Sequence, residues 1–196
     1  MISGGGRTLL NLLTYVRAGE LAAEIPLVIA SREGAGVDRA REQGLHVEIV
    51  PGVIPAARLE ELLNRFGVDW VVLAGYLLLV QIPHSYRGRV VNIHPALLPK
   101  FGGKGMYGRR VHEAVIAAGE RESGCSVHFA DTEYDKGAVI LQRSCAVYPG
   151  DTPETLAARV FELEQEAYPA ALKLLLGRGN RLGAARDEGS SKSEGE

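Results

Sequence analysis

The sequence has only two cysteines, Cys125 and Cys145, and no metal-ligand spacing between them. A reducing, cytoplasmic setting is therefore expected, with both as buried thiols. No apolar run is long enough to span a bilayer, and no charged-then-apolar leader opens the chain. The formal net charge is only −2, so there is no global electrostatic pull toward nucleic acid or a membrane surface. No Gly-x-Ser-x-Gly elbow, Gly-Lys-Ser/Thr phosphate loop, activated cysteine or internal repeat is present. The acids and histidines do not fall at metal-ligand spacings, so a metal-free reaction is the simplest expectation. At 46% hydrophobic and 23% charged over 196 residues, the chain reads as one globular domain, residues 1–178. Residues 179–196, rich in Gly, Arg, Ser and Glu, read as a disordered tail.

Strand-like and helix-like stretches alternate along the chain. Residues 25–31, 46–50 and 70–75 read as strands, the last nearly continuously apolar as parallel sheets require. Between them, residues 36–43 and 56–66 read as helices, the second with Leu59, Leu62, Leu63 and Phe66 on one face. Val111 to Ala118 is a further helix; residues 125–130, 138–142 and 145–147 read as strands, the last continuing or following the one before it. Asp151, Thr152, Pro153 and Glu154 form a helix start, and the helix reaches about Leu176, with Pro169 expected to kink or interrupt it. The alternation predicts a doubly wound, mostly parallel α/β sheet with helices on both faces.

The chemistry concentrates where Val90 and Val91 lead into Asn92, Ile93, His94 and Pro95. On a strand Asn92 and His94 share a face, Ile93 turns to the core, and Pro95 ends the ladder. This pair is either a buried strand end satisfying backbone groups or a polar pair presented where an open parallel sheet binds ligands. The imidazole could donate to a developing oxyanion, and a nearby carboxylate would raise its pKa. Asp135 could be that carboxylate, or could simply form a turn into Lys136 and Gly137. Of the other histidines, His46, His84 and His112 read as surface or structural, His112 on an exposed helix face; His128 is ambiguous. Gly4 to Gly6 before the Leu9–Leu13 helix form a tight turn or a phosphate site at a helix start. Tyr76 to Val80 reads as core packing or as an apolar wall for a flat heterocycle.

Residues 92–101 resemble the signature of the folate-dependent formyltransferases. Residues 2–6, 69–76, 124–129 and 135–142, and the helix through Glu164 to Tyr168 and Pro169, are similar to that family as well, so the resemblance covers all but the tail. It implies a Rossmann-like formyltransferase fold and 10-formyltetrahydrofolate as co-substrate. Within the family the resemblance is greatest to members whose acceptor is the amine of glycinamide ribonucleotide, in purine synthesis. By that likeness Asn92 and His94 flank the formyl group and stabilise the oxyanion, while Asp135 holds His94 protonated and helps remove a proton. Leu77, Leu78, Leu79 and Val80, with Asn92, contact the folate; Gly6, Arg7 and Thr8 hold the phosphate; Glu164 contacts the ribose. Small-molecule substrates, no nucleic acid, no membrane, and a monomer or homodimer follow from the same likeness. Alternatives are hydrolysis of the formyl folate and a non-catalytic folate- or nucleotide-binding module.

Three features depart from the family pattern. The first strand is cut to a stub at Ile2, which should leave neighbouring strands with unpaired backbone groups, each costing about 1–3 kcal/mol. Arg7 stands where a small polar residue is usual and could add a phosphate contact. The segment from Pro51 to Arg58 is short, and Arg58 is the one candidate there for a folate-tail arginine.

Overall fold

The computed structural model describes residues 1–179. In chain order its elements are α1 (Arg7–Arg17), β1 (Val28–Ala30), α2 (Ala35–Glu42), β2 (Val47–Ile49), α3 (Ala56–Arg65), β3 (Val71–Leu73), a 3₁₀ turn (His84–Tyr86), β4 (Val90–His94), α4 (Arg109–Ala117), β5 (Glu122–Phe129), β6 (Val139–Ala146) and α5 (Pro153–Gly179). The expected elements are present, with β1, β2 and β3 shorter than expected and β5 longer. Of the two possibilities for 138–142 and 145–147, the joined one holds, as the single strand β6. Apart from Gly179, which ends α5, the segment expected to be a tail lies outside the described residues.

β1 and β2 pair in parallel, as do β3 and β4; β4–β5 and β5–β6 pair antiparallel. The N-terminal stub joins the two halves. Ile2 N–H donates to Ile29 O (2.9 Å), and Ser31 N–H donates to Ile2 O (3.1 Å). On the other side Ala74 N–H donates to Met1 O (2.9 Å), and Ser3 N–H donates to Gly75 O (3.1 Å). The continuous order is therefore β2-β1-stub-β3-β4-β5-β6. The stub satisfies β1 and β3 at their C-terminal ends, where the functional residues emerge. At their N-terminal ends an apolar cavity of about 430 Å³ separates them, bordered by Ile25, Leu27, Val68 and Trp70. The Met1 amino group at its edge donates to Val72 O (2.6 Å), and burial lowers its pKa to about 5.

Alternation along the strands divides the core into two faces. Val91, Cys125 and Val127 pack with Leu12, Val115, Leu156, Val160 and Tyr168 under α1, α4 and α5. Val90, Val71, Leu73 and Ile29 pack with Leu59, Leu62 and Leu63 under α3. Cys125 is buried, its thiol pushed up to about 12, whereas Cys145 on the edge strand β6 is only half-buried, contrary to expectation. Pro169 does not interrupt α5 either. A proline has no N–H for the carbonyl four residues back, and Asn11 Nδ2 of α1 donates to that carbonyl, Gln165 O, at 2.8 Å.

Candidate active site

β4 projects past β3: its Asn92 pairs with Leu73, the last residue of β3, so His94 stands beyond the end of the parallel ladder. As the alternation predicts, Ile93 packs into the α5-side core while Asn92 and His94 share the other orientation. The antiparallel register then sets Asn92 opposite His128. His128 Nδ1 donates to Phe129 O (2.8 Å), which leaves Nε2 of the neutral ring as an acceptor for Asn92 Nδ2 (3.2 Å). One amide hydrogen of Asn92 is thereby fixed, and the side chain is oriented.

The loop after β4 folds back over this end. Ser126 Oγ donates to Ala96 O (2.6 Å) and accepts from Leu98 N–H (3.0 Å) and Gln142 Nε2 (2.8 Å). These bonds bring Phe101 O within 2.8 Å of His94 Nε2, which donates to it. The loop after β5 closes from the opposite side and carries Asp135 with φ 58°, in the left-handed region. Asp135 Oδ2 accepts from Gly103 N–H (2.8 Å) and lies 3.5 Å from His94 Nδ1; Oδ1 lies 3.5 Å from His128 Nε2. Position 102 is tightly packed: a Cβ there would meet the Leu98 side chain at 2.5 Å and Asp135 Cβ at 3.1 Å, so a larger residue would have to displace both.

Burial raises the Asp135 pKa, but the neighbouring His128 and His94 rings and the Gly103 N–H outweigh it and hold the carboxyl below its ordinary value. For His94 the balance is reversed from expectation. Burial lowers its pKa by more than Asp135 and the Phe101 carbonyl raise it. Asp135 is thus an ionised acceptor, and His94 gives up a proton more readily than a free imidazole.

These groups form one side of a cavity of about 800 Å³. Facing them is the glycine loop at the start of α1. α2 packs so closely on this loop that a Cβ at Gly36 would lie 2.1 Å from Gly4 O. Arg39 Nη1 and Arg32 Nε donate to Gly5 O and Ser3 O, at 2.5 Å and 2.9 Å, and hold it in place. Gly6 occupies the N-cap of α1 with φ 72° and provides no side-chain cap for the first-turn amides. Arg7 and Thr8 line the same cavity, and the Arg7 guanidinium lies 4.1 Å above the Phe161 ring of α5. Glu164, one turn further along α5, is partly buried; burial raises its pKa to about 7, and Arg7 offsets this only in part.

Of the residues picked out by sequence, Gly6, Arg7, Thr8, Leu77, Asn92, His94, Asp135 and Glu164 line this one cavity. Leu77 is 43% exposed and its N–H donates to Ser3 Oγ (3.1 Å). Leu78, Leu79 and Val80 are not among the lining residues; Leu78 and Val80 pack into the core under α3. Arg58 pairs with Glu61 on exposed α3, away from the cavity. His112 is not on an exposed face: it is 3% exposed and lines the site. It lies three residues before Val115 and four before Ile116, a spacing that marks the buried stripe of α4. His128 and the backbone groups of Phe101 and Gly103 also enter the site through tertiary contacts that no local pattern announces.

The formyl transferase family model matches residues 1–172. This chain belongs to the formyl transferase family. A chloroplastic phosphoribosylglycinamide formyltransferase of Arabidopsis thaliana is 39% identical over 178 residues, 85% of this chain and 61% of that protein. The chain thus spans about three-fifths of the length of that plant relative. The phosphoribosylglycinamide formyltransferase of Haemophilus influenzae is 33% identical over 88% of this chain and 84% of its own. Among solved structures, glycinamide ribonucleotide transformylase 1 from Symbiobacterium toebii superposes with TM-score 0.81 at 35% identity, covering 90% of this formyl transferase chain and 86% of that one. A formyltetrahydrofolate deformylase from Pseudomonas syringae superposes with TM-score 0.79 at 25% identity, over 90% of this chain and 60% of its own. No helix among the described residues is long and apolar enough to cross a membrane.

Proposed function

We propose that this formyl transferase moves the formyl group of 10-formyltetrahydrofolate to the amine of glycinamide ribonucleotide. The observation that carries the reading is that one cavity joins an amide–imidazole–carboxylate cluster to an anion-receptive helix start. In it the phosphate lies at the first-turn amides of α1 beside Arg7, and Glu164 takes a ribose hydroxyl. The folate's ring end lies against Tyr76 and Leu77, and Asn92 and His94 face the formyl carbon between the two substrates. As the amine attacks, a C–N bond forms and negative charge collects on the formyl oxygen. The free amide hydrogen of Asn92 and the Nε2–H of His94, shared with Phe101 O, stabilise it. The amine proton passes to Asp135, directly or through one water, and is returned from there to the folate nitrogen as its C–N bond to the formyl group breaks. Holding both substrates in one cavity supplies a large part of the rate.

The test follows deformylation of 10-formyl-dideazafolate by difference absorbance, with and without glycinamide ribonucleotide. Turnover that requires the ribonucleotide supports the transfer. Formate release without it identifies a hydrolase, the reaction that the likeness to the deformylase makes the alternative. Folate binding without turnover in either cuvette leaves a binding module.

A further inference from the structure

Neither ring nitrogen of His112 has a hydrogen-bond partner among the described residues, although the side chain is 97% buried (3% exposed). Nδ1 is sealed inside the protein. Nε2 is not among the sealed atoms, so it is the nitrogen that opens on the site cavity. A sealed N–H without an acceptor is costlier than a sealed lone pair. The favoured tautomer therefore carries its proton on Nε2. Burial and the neighbouring His94 both push this ring toward its neutral form. His112 thus presents a neutral N–H donor to a cavity in which the protein offers it nothing to bond.

Its position indicates what it meets. One turn before it on α4, Arg109 bonds Glu154 in the first turn of α5 (2.8 Å). This ties the His112 face of α4 to the α5 wall that bears Phe161, Arg7 on its ring, and Glu164. The folate shelf at Tyr76 and Leu77 belongs to the segment after β3. We infer that His112 binds the acceptor substrate, donating from Nε2 to an uncharged oxygen of it, the amide carbonyl beside the reacting amine. This rests on the proposed transfer to glycinamide ribonucleotide and adds to it a specificity contact from α4.

The test compares His112→Leu with His112→Gln, whose amide nitrogen can take the place of Nε2. With wild type first shown to transfer to the ribonucleotide, His112→Leu should raise KM for that substrate about tenfold, as expected for one lost hydrogen bond in a desolvated site. Its kcat and its KM for the formyl folate should stay within about threefold, and His112→Gln should recover most of the loss. In the wild-type protein the Nε2 nitrogen resonance of His112 should shift on adding glycinamide ribonucleotide and stay in place on adding the folate analogue. This last measurement holds even if a variant does not fold. An unchanged KM in the leucine variant, no recovery by glutamine, or an unmoved resonance overturns the inference. Wild type without ribonucleotide-dependent turnover instead overturns the transfer reading beneath it.

Discussion

On one wall of the cavity Asn92, His94, His128 and Asp135 direct their polar groups at one another and at the backbone of Phe101, Gly103 and Phe129. On the other wall Arg7, Glu164 and His112 have no hydrogen-bond partner among the described residues; Arg7 only stacks on Phe161. The first wall is arranged in advance: each side chain is held by at least one bond, so little reorganisation remains when charge develops. The second holds polar groups that the protein itself leaves unmatched, which favours a polar ligand. The difference separates chemistry from recognition, and variants in the two walls should therefore fail in different ways.

The largest effects belong to the first wall. Asn92→Ala and His94→Ala should each lower kcat by about 10²–10³, the usual cost of one oxyanion donor, while KM for the ribonucleotide changes little. Asp135→Asn should cost about 10²–10⁴ in kcat by removing the proton acceptor. Steady-state kinetics with circular dichroism on each variant checks this. A loss confined to KM would erase the contrast between the walls.

Next comes a stability effect whose sign differs between the walls. His94 has a folded pKa below its unfolded value, so the unfolded chain binds more protons, and its contribution is lost as pH falls below about 6.5. Glu164 is the reverse. Its pKa is raised from 4.5 to about 7, so the folded state binds more protons and stability declines as pH rises between those values. Glu164→Gln should therefore stabilise the protein by about 2 kcal/mol at pH 8, after allowing for its partial access to water, and have little effect at pH 4.5. Urea midpoints across pH 4.5–8 measure both trends. A glutamine variant no more stable than wild type at pH 8 would show that Glu164 is not held unfavourably charged.

The two walls were also unequally legible in sequence. Asn92 and His94 could be paired because two-residue spacing on a strand is local, and Gly4 to Gly6 because glycines before an apolar helix are local too. The contact of Asp135 with His94 depends on the β4–β5 register and on two loops meeting, neither of which is encoded in any short window. His128 was ambiguous for the same reason. His112 sits on the buried stripe of α4, which helix phase sets and side-chain polarity conceals. The expected dominance of Asp135 over His94 failed because burial, a property of the whole fold, outweighs one carboxylate. The stub at Ile2 retained its pairing because three residues suffice to bridge β1 and β3 at the end that carries the site.

The smallest effect, and the one most particular to this chain, concerns Arg7. It is exposed, with its guanidinium carbon over the Phe161 ring and no hydrogen-bond partner among the described residues, so its donors remain available to a phosphate at the start of α1. Arg7→Ser should raise KM for the ribonucleotide about fivefold to tenfold and leave kcat and the folate KM unchanged, because a phosphate far from the reacting carbon contributes equally to ground and transition states. Arg7→Lys should recover only part of this, since an ammonium neither stacks nor forks in the same way. Salt sharpens the reading. Part of the wild-type affinity should be screened between 50 mM and 300 mM salt, and the serine variant should show the weaker dependence. Equal salt dependence in the two proteins would mean that the phosphate is held by the helix-start amides alone, and that the second wall recognises its ligand without Arg7.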